Sequence, residues 1–189
     1  MAELLHALLL DIPEVLETER LVLRAAHTGQ GAALHEAMVE SFAQLRPWMP
    51  RAKVMQTPEQ SEAYARESQA KWLARETLDF GWYARGDGRL VGRGGLHSID
   101  WTLPRFEIGY WVRTPLAGQG YATEAAIALT EFARDRLGAR RVIITSDTRN
   151  AASRRVAEKS GFVLEGILRQ SRRDNDGNLA DSCMYARVF

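Results

Sequence analysis

The chain has 189 residues, 46% of them apolar and 26% charged, which fits one globular domain large enough to bury its own core. With 25 Lys and Arg against 24 Asp and Glu, the formal net charge is +1, so no general attraction to nucleic acid or to an anionic membrane surface is expected. The single cysteine, Cys183, excludes an internal disulfide framework, and a cytoplasmic location is the plain reading.

Residues 1–16 read as an N-terminal extension ahead of one domain at 17–189. The extension carries the apolar run Ala7-Leu8-Leu9-Leu10. It lacks a basic leader, includes Glu3 and Asp11, and is too short to span a bilayer. It is expected to pack on the domain or on a second subunit, which leaves a homodimer open.

Thr18 to Ala26 alternates Leu21, Leu23 and Ala25 with polar neighbours and predicts a first strand. Helices are predicted over Thr28–Phe42 and Pro58–Arg75 from their apolar spacing. Between them, Pro47 and Pro50 in Leu45-Arg46-Pro47-Trp48-Met49-Pro50 exclude a helix interior. Leu78–Arg85 and Arg89–Ile99 predict two strands joined at Gly86-Asp87-Gly88, and Pro104–Arg113 predicts a fourth. A helix should then run to Leu137 and stop at Gly138. Val142-Ile143-Ile144 reads as a strand buried on both faces. A short helix follows from Asn150, a natural N-cap, to Ser160, with Gly161 as its exit. Phe162–Arg169 and Ala180–Phe189 form a final strand pair. This alternation predicts one mixed α/β domain.

The most informative stretch is Leu116-Ala117-Gly118-Gln119-Gly120-Tyr121-Ala122-Thr123-Glu124-Ala125, between a strand and a helix. Glycines at 118 and 120 permit a tight turn and close approach of a ligand. The helix N-terminus behind them presents unpaired N–H groups and a partial positive charge, a ready cradle for phosphate. A dinucleotide fingerprint is a poor match, because Thr123 stands at the third glycine and Gly118 lies well past the strand end. A nucleoside-triphosphate loop needs a lysine and a hydroxyl residue directly after its second glycine, and Tyr121-Ala122 stand there.

A third reading takes in the whole second half. Phe106-Glu107-Ile108-Gly109-Tyr110-Trp111-Val112, the glycine turn, Asn150 with Ser153, and Glu158-Lys159-Ser160-Gly161-Phe162 resemble, in this order, the GCN5-related N-acetyltransferase (GNAT) superfamily. Thr18-Glu19-Arg20-Leu21-Val22-Leu23-Arg24, Pro47-Trp48-Met49-Pro50, Glu165-Gly166 and Met184-Tyr185-Ala186-Arg187 make the chain similar to the RimJ/RimL-type ribosomal-protein acetyltransferase branch.

The resemblance implies a mostly antiparallel sheet, splayed between its fourth and fifth strands to admit acetyl-coenzyme A. Trp111, Val112 and Arg113 would line the pantetheine arm. Gly118, Gln119, Gly120, Tyr121, Ala122 and Thr123 would cradle the pyrophosphate, and Asn150 would touch the arm, cap the helix, or do both. Ser153 would sit near the coenzyme sulfur, and Glu107 would be the general base, with Asp181 as a lesser candidate. Three positions depart from the family pattern: Ala117 where Gln or Arg is usual, Ala157 where many members carry a catalytic tyrosine, and Arg172 where some RimL-type enzymes place a glutamate. No metal is implied, since His6, His27, His35 and His97 show no ligand spacing. The implied reaction is direct acetyl transfer to a primary amine, foremost a protein N-terminal α-amine, with polyamines and small amines open. A coenzyme-binding sensor without turnover is the alternative from another class.

Overall fold

The computed structural model describes residues 7–49 and 52–189. The first six residues of the extension, together with Pro50 and Arg51, lie outside the described residues. The elements run β1 (Val15–Glu17), β2 (Leu21–Ala25), α1 (Gly31–Leu45), α2 (Pro58–Leu73), β3 (Leu78–Ala84), β4 (Leu90–Asp100), β5 (Arg105–Val112), a 3-10 turn (Thr114–Leu116), α3 (Tyr121–Leu137), β6 (Arg141–Asp147), α4 (Ala151–Lys159), β7 (Val163–Arg173) and β8 (Leu179–Val188).

Local chemistry sets most boundaries. Thr57 and Gln60 form a reciprocal capping box ahead of Pro58 and start α2. Gly138 ends α3 at φ 67°, and the Asn150 side chain caps α4 by accepting from the Ser153 N–H. Tertiary contacts move the start of α1. Helix α1 begins at Gly31, three residues later than the pattern predicts, because the Thr28 and Gly29 backbone donates to Gln69 and Glu62 of α2. A Cβ on Gly31 would lie 2.4 Å from the Glu62 Cα, so only glycine lets the two helices approach this closely.

The eight strands form one sheet in the order β1-β2-β3-β4-β5-β6-β8-β7. All neighbours are antiparallel except β5 and β6. The main core centres on Phe80, held edge-on between Trp72 at 4.8 Å and Phe132 at 5.9 Å. A smaller cluster of Leu34, Ala37, Ala65 and Leu90 lies under α1 and α2.

The expected domain start falls inside a strand. Val15–Glu17 pairs with Val22–Arg24 as β1, so a boundary between residues 16 and 17 cuts a strand. Three residues are too few for alternation to reveal, and pairing with β2 decides the matter. The described part of the extension packs on the domain: Ala7 and Ile12 are buried, and Arg75 donates to the Ala7 and Leu10 carbonyls. The strands expected to splay are thus β5 and β6. They pair only at Arg105–Arg141, Phe106–Val142 and Glu107–Ile143. Beyond that point β5 stays on β4 up to Val112 and β6 stays on β8 up to Asp147. A wedge therefore opens immediately after Glu107.

Candidate active site

One end of the wedge leads to the glycine turn. Gly118 and Gly120 adopt φ values of 78° and 86°, left-handed conformations that side chains resist. No atom lies within 4 Å of a Cβ built on Gly118, so the turn is open to a ligand. The first helical bond joins the Glu124 N–H to the Gly120 carbonyl. The N–H groups of Tyr121, Ala122 and Thr123 consequently have no acceptor inside the helix.

Residues outside the turn brace it. Arg20 donates through Nε to Glu124 at 2.7 Å and through Nη1 to the Gln119 carbonyl at 2.9 Å, and its guanidinium lies 4.6 Å from the Tyr121 ring centre. Thr18 also donates to Glu124. Burial pushes the Glu124 carboxyl up, but the donations from Thr18 and Arg20 outweigh it and hold the group below the ordinary carboxylate value.

The other end of the wedge collects candidate chemistry from both faces of the sheet. Period-two alternation puts Glu107, Gly109 and Trp111 on one face of β5 and Ile108, Tyr110 and Val112 on the other. On the first face, His97 of β4 stands opposite Glu107, its Nδ1 3.9 Å from the carboxylate. The imidazole lies over Gly109, where a Cβ would come within 2.6 Å of Nε2. On the second face, the Tyr110 hydroxyl is 3.0 Å from the Ser153 Oγ in the first turn of α4. Burial pushes Tyr110 up to about 12, against the opposing effect of the Ser153 hydrogen bond, so the hydroxyl keeps its proton at neutral pH.

A wedge between two parted parallel strands, an open glycine turn at a helix N-terminus and polar groups on both faces carry the resemblance into three dimensions. The profile of the acetyltransferase (GNAT) domain matches residues 20–163. The chain belongs to this family. It is an acetyl-coenzyme A-dependent N-acetyltransferase, an acyltransferase. The ribosomal-protein-serine acetyltransferase of Escherichia coli (strain K12) is 33% identical over 103 residues, covering 54% of this chain and 57% of the relative. Among solved structures, the ribosomal L7/L12 α-N-protein acetyltransferase RimL in complex with coenzyme A superposes with a TM-score of 0.87 at 25% identity, covering 93% of this chain and 98% of the other. An acetyltransferase from Salmonella typhimurium that modifies the N-terminal serine of ribosomal protein L7/L12 superposes at 0.81 with 27% identity, covering 94% and 98%.

The structure of this acetyltransferase places the expected site residues unevenly. Glu107 and Ser153 flank the wedge from opposite faces, and residues 118–123 form one continuous turn. Val112 packs on the main core and Trp111 on the smaller cluster. Arg113 follows the last residue of β5. Its guanidinium is buried and held by Glu36 and Glu40 of α1, which push its pKa up; its N–H donates to the Val91 carbonyl. Asn150 holds the Ser153 N–H at 3.1 Å and so fixes the first turn of α4. Ala157 is the fully buried residue of α4.

Two long-range pairings are not legible in the sequence. Tyr110 and Ser153 lie 43 residues apart, and Arg20 and Gln119 lie 99 apart. The motifs holding Tyr110, Ser153 and Arg20 are visible in the sequence, but not these contacts between them. Arg172 donates to the buried Asp147, which also binds Arg149; these arginines, Arg149 foremost, hold the Asp147 carboxyl low. The Asp181 carboxylate accepts from the Gln170 N–H.

On the Glu107 face, a cavity of about 560 Å³ is lined by Lys53, Val54, Met55, Gln56, Gln60 and Tyr64 among others. Tyr64 packs against Arg93, which pairs across the strands with Trp111. The tip of the β7–β8 hairpin clasps the α1–α2 loop nearby: Asn175 donates to the Arg46 and Met49 carbonyls, and Arg46 pairs with Asp176 at 2.8 Å.

Proposed function

We propose that this acetyltransferase acylates the α-amine of a protein N-terminus, as the ribosomal-protein enzymes similar to it do, by direct attack within a ternary complex. The observation that carries the reading is the last β5–β6 pair, Glu107–Ile143. It puts a carboxylate at the apex of the wedge, on the face where the 560 Å³ cavity and the α1–α2 loop lie.

Each group then has a task. A free α-amine has a pKa of ~8, so the carboxylate of Glu107, directly or through water, removes a proton that is only modestly held. Such a base contributes ~10²–10⁴-fold in rate. Backbone N–H groups of β5 past Glu107 polarise the acetyl carbonyl. Ser153, oriented by Tyr110 and by the Asn150 cap, donates toward the departing thiolate. The turn at 118–123 holds the pyrophosphate, and its open glycines fit that task. No described cysteine other than buried Cys183 offers a thiol nucleophile, which supports direct attack.

The test is acetyl transfer to peptides that begin with serine, followed as thiol release. Release with a free N-terminus, and none with an N-blocked peptide bearing lysine or with a polyamine, supports the proposal. Release with the polyamine alone would turn it toward small amines. Coenzyme binding without release on any amine would favour a sensor. The proposal sets the enzyme in the cytoplasm as a homodimer across the β7 edge, where Val163 and Ile167 are exposed. A monomer in sedimentation would remove the dimer.

A further inference from the structure

Ser146 is the sixth residue of β6, beyond the last residue paired with β5. On its other side β6 stays paired, Ser146 lying opposite Cys183 of β8. Alternation puts Ser146 on the same face as Val142 and Ile144, both buried in the main core. It is only 7% exposed, and its Oγ is buried with no hydrogen-bond partner in the protein. A buried hydroxyl without a partner costs free energy. Such a group in a wall of hydrocarbon is conspicuous, because alanine or valine would fill the position without that cost.

The position suggests what the hydroxyl serves. The row Val142, Ile144, Ser146 runs from the paired part of β6 into the splayed part: Val142 pairs with Phe106, whereas Ile144 and Ser146 lie past the last pair with β5, Ser146 the further from it. Along β5, the same face carries Tyr110, bound to Ser153. We infer that the Ser146 hydroxyl is a ligand of the pantetheine arm, exchanging a hydrogen bond with one of its amides. This rests on the coenzyme reading of the wedge. It adds a side-chain contact on β6, a strand to which the sequence assigns no site residue. Serine suits the role, since its hydroxyl both donates and accepts and so meets either end of an amide.

Three measurements on Ser146→Ala test the inference. Affinity for coenzyme A, measured by calorimetry, should fall ~2–12-fold, the loss of one ordinary hydrogen bond. Affinity for adenosine 3′,5′-bisphosphate, which lacks the arm, should not change. The melting temperature of the free protein should hold or rise, because the variant removes an unpartnered polar atom. Coenzyme A bound as tightly as by the parent would overturn the inference, as would an equal loss for both ligands or a lower melting temperature with unchanged affinity. If the unaltered protein binds neither ligand, the coenzyme reading itself falls, and Ser146 with it; tight binding by the parent alongside an unaffected variant removes Ser146 alone.

Discussion

The two ends of the coenzyme cleft are built from different materials. The turn proposed to hold the pyrophosphate is made of consecutive backbone, residues 118–123, and would bind through N–H donors that every residue type except proline supplies. The wedge apex is made of side chains from β4, β5 and α4, brought together over long sequence distances. A backbone site tolerates changes that leave its φ angles alone, so Ala117 in place of a longer side chain leaves the cradle intact. A side-chain site does not tolerate such change: the apex, as proposed, depends on one carboxylate and on a hydroxyl aligned by Tyr110 and Asn150.

Replacing the apex carboxylate should give the largest effect. Glu107→Gln should lower kcat ~10²–10⁴-fold at neutral pH, with less loss in alkali where the amine is already neutral, and with coenzyme affinity unchanged. A pH–rate profile identical to the parent's would remove Glu107 as base. The cradle should respond in the opposite way. Gly120→Val forces a β-branched residue into the left-handed region at a cost of roughly 1–2 kcal/mol, and the new Cβ would meet Arg20. Coenzyme affinity should drop by about tenfold while chemistry on bound coenzyme proceeds at the parent rate in single-turnover assays. A lower single-turnover rate with normal affinity would show that the two ends are not separable.

Tyr110→Phe tests the alignment of Ser153. Loss of one hydrogen bond predicts a decrease in kcat of ~2–12-fold. The apparent pKa values of the rate profile should stay in place between pH 6 and 10, because Tyr110 titrates only at about 12. A shifted alkaline limb would show that Tyr110 itself ionises during turnover.

The smallest effect concerns the brace of the cradle. The Glu124 carboxyl is held below its ordinary 4.5 in the folded state. It therefore binds fewer protons folded than unfolded near that pH, and its contribution is present above 4.5 and lost as pH falls through the lower folded value. Arg20 is 43% exposed, so screening limits the pair to ~0.2–1 kcal/mol. Glu124→Gln should lower the melting temperature slightly at pH 7 and much less at pH 3; an equal loss at both would assign Glu124 a role in packing.

Much of this architecture is written locally. The capping box at Thr57, the stop at Gly138 and the buried run Val142-Ile143-Ile144 can be read from a few adjacent residues, because capping, left-handed turns and burial periodicity act over short range. β1 escapes such reading, since a three-residue strand has no period. Arg113 shows the limit at the site. It lies where the family pattern points to the coenzyme, yet two glutamates of α1, more than 70 residues earlier, take its guanidinium.

The sequence by itself determined the order of elements apart from β1, the glycine turn with its helix behind it, and the candidate carboxylate and serine, all of which rest on local conformational preference and motif spacing. The tertiary structure alone decided where β5 and β6 part, that Glu107 stands at that fork, that Tyr110 holds Ser153 while Arg20 steadies the turn, and that Ser146 is buried without a partner. The physical reason is that register and side-chain pairing depend on which distant segments share a core, and burial settles that only when the whole chain has packed.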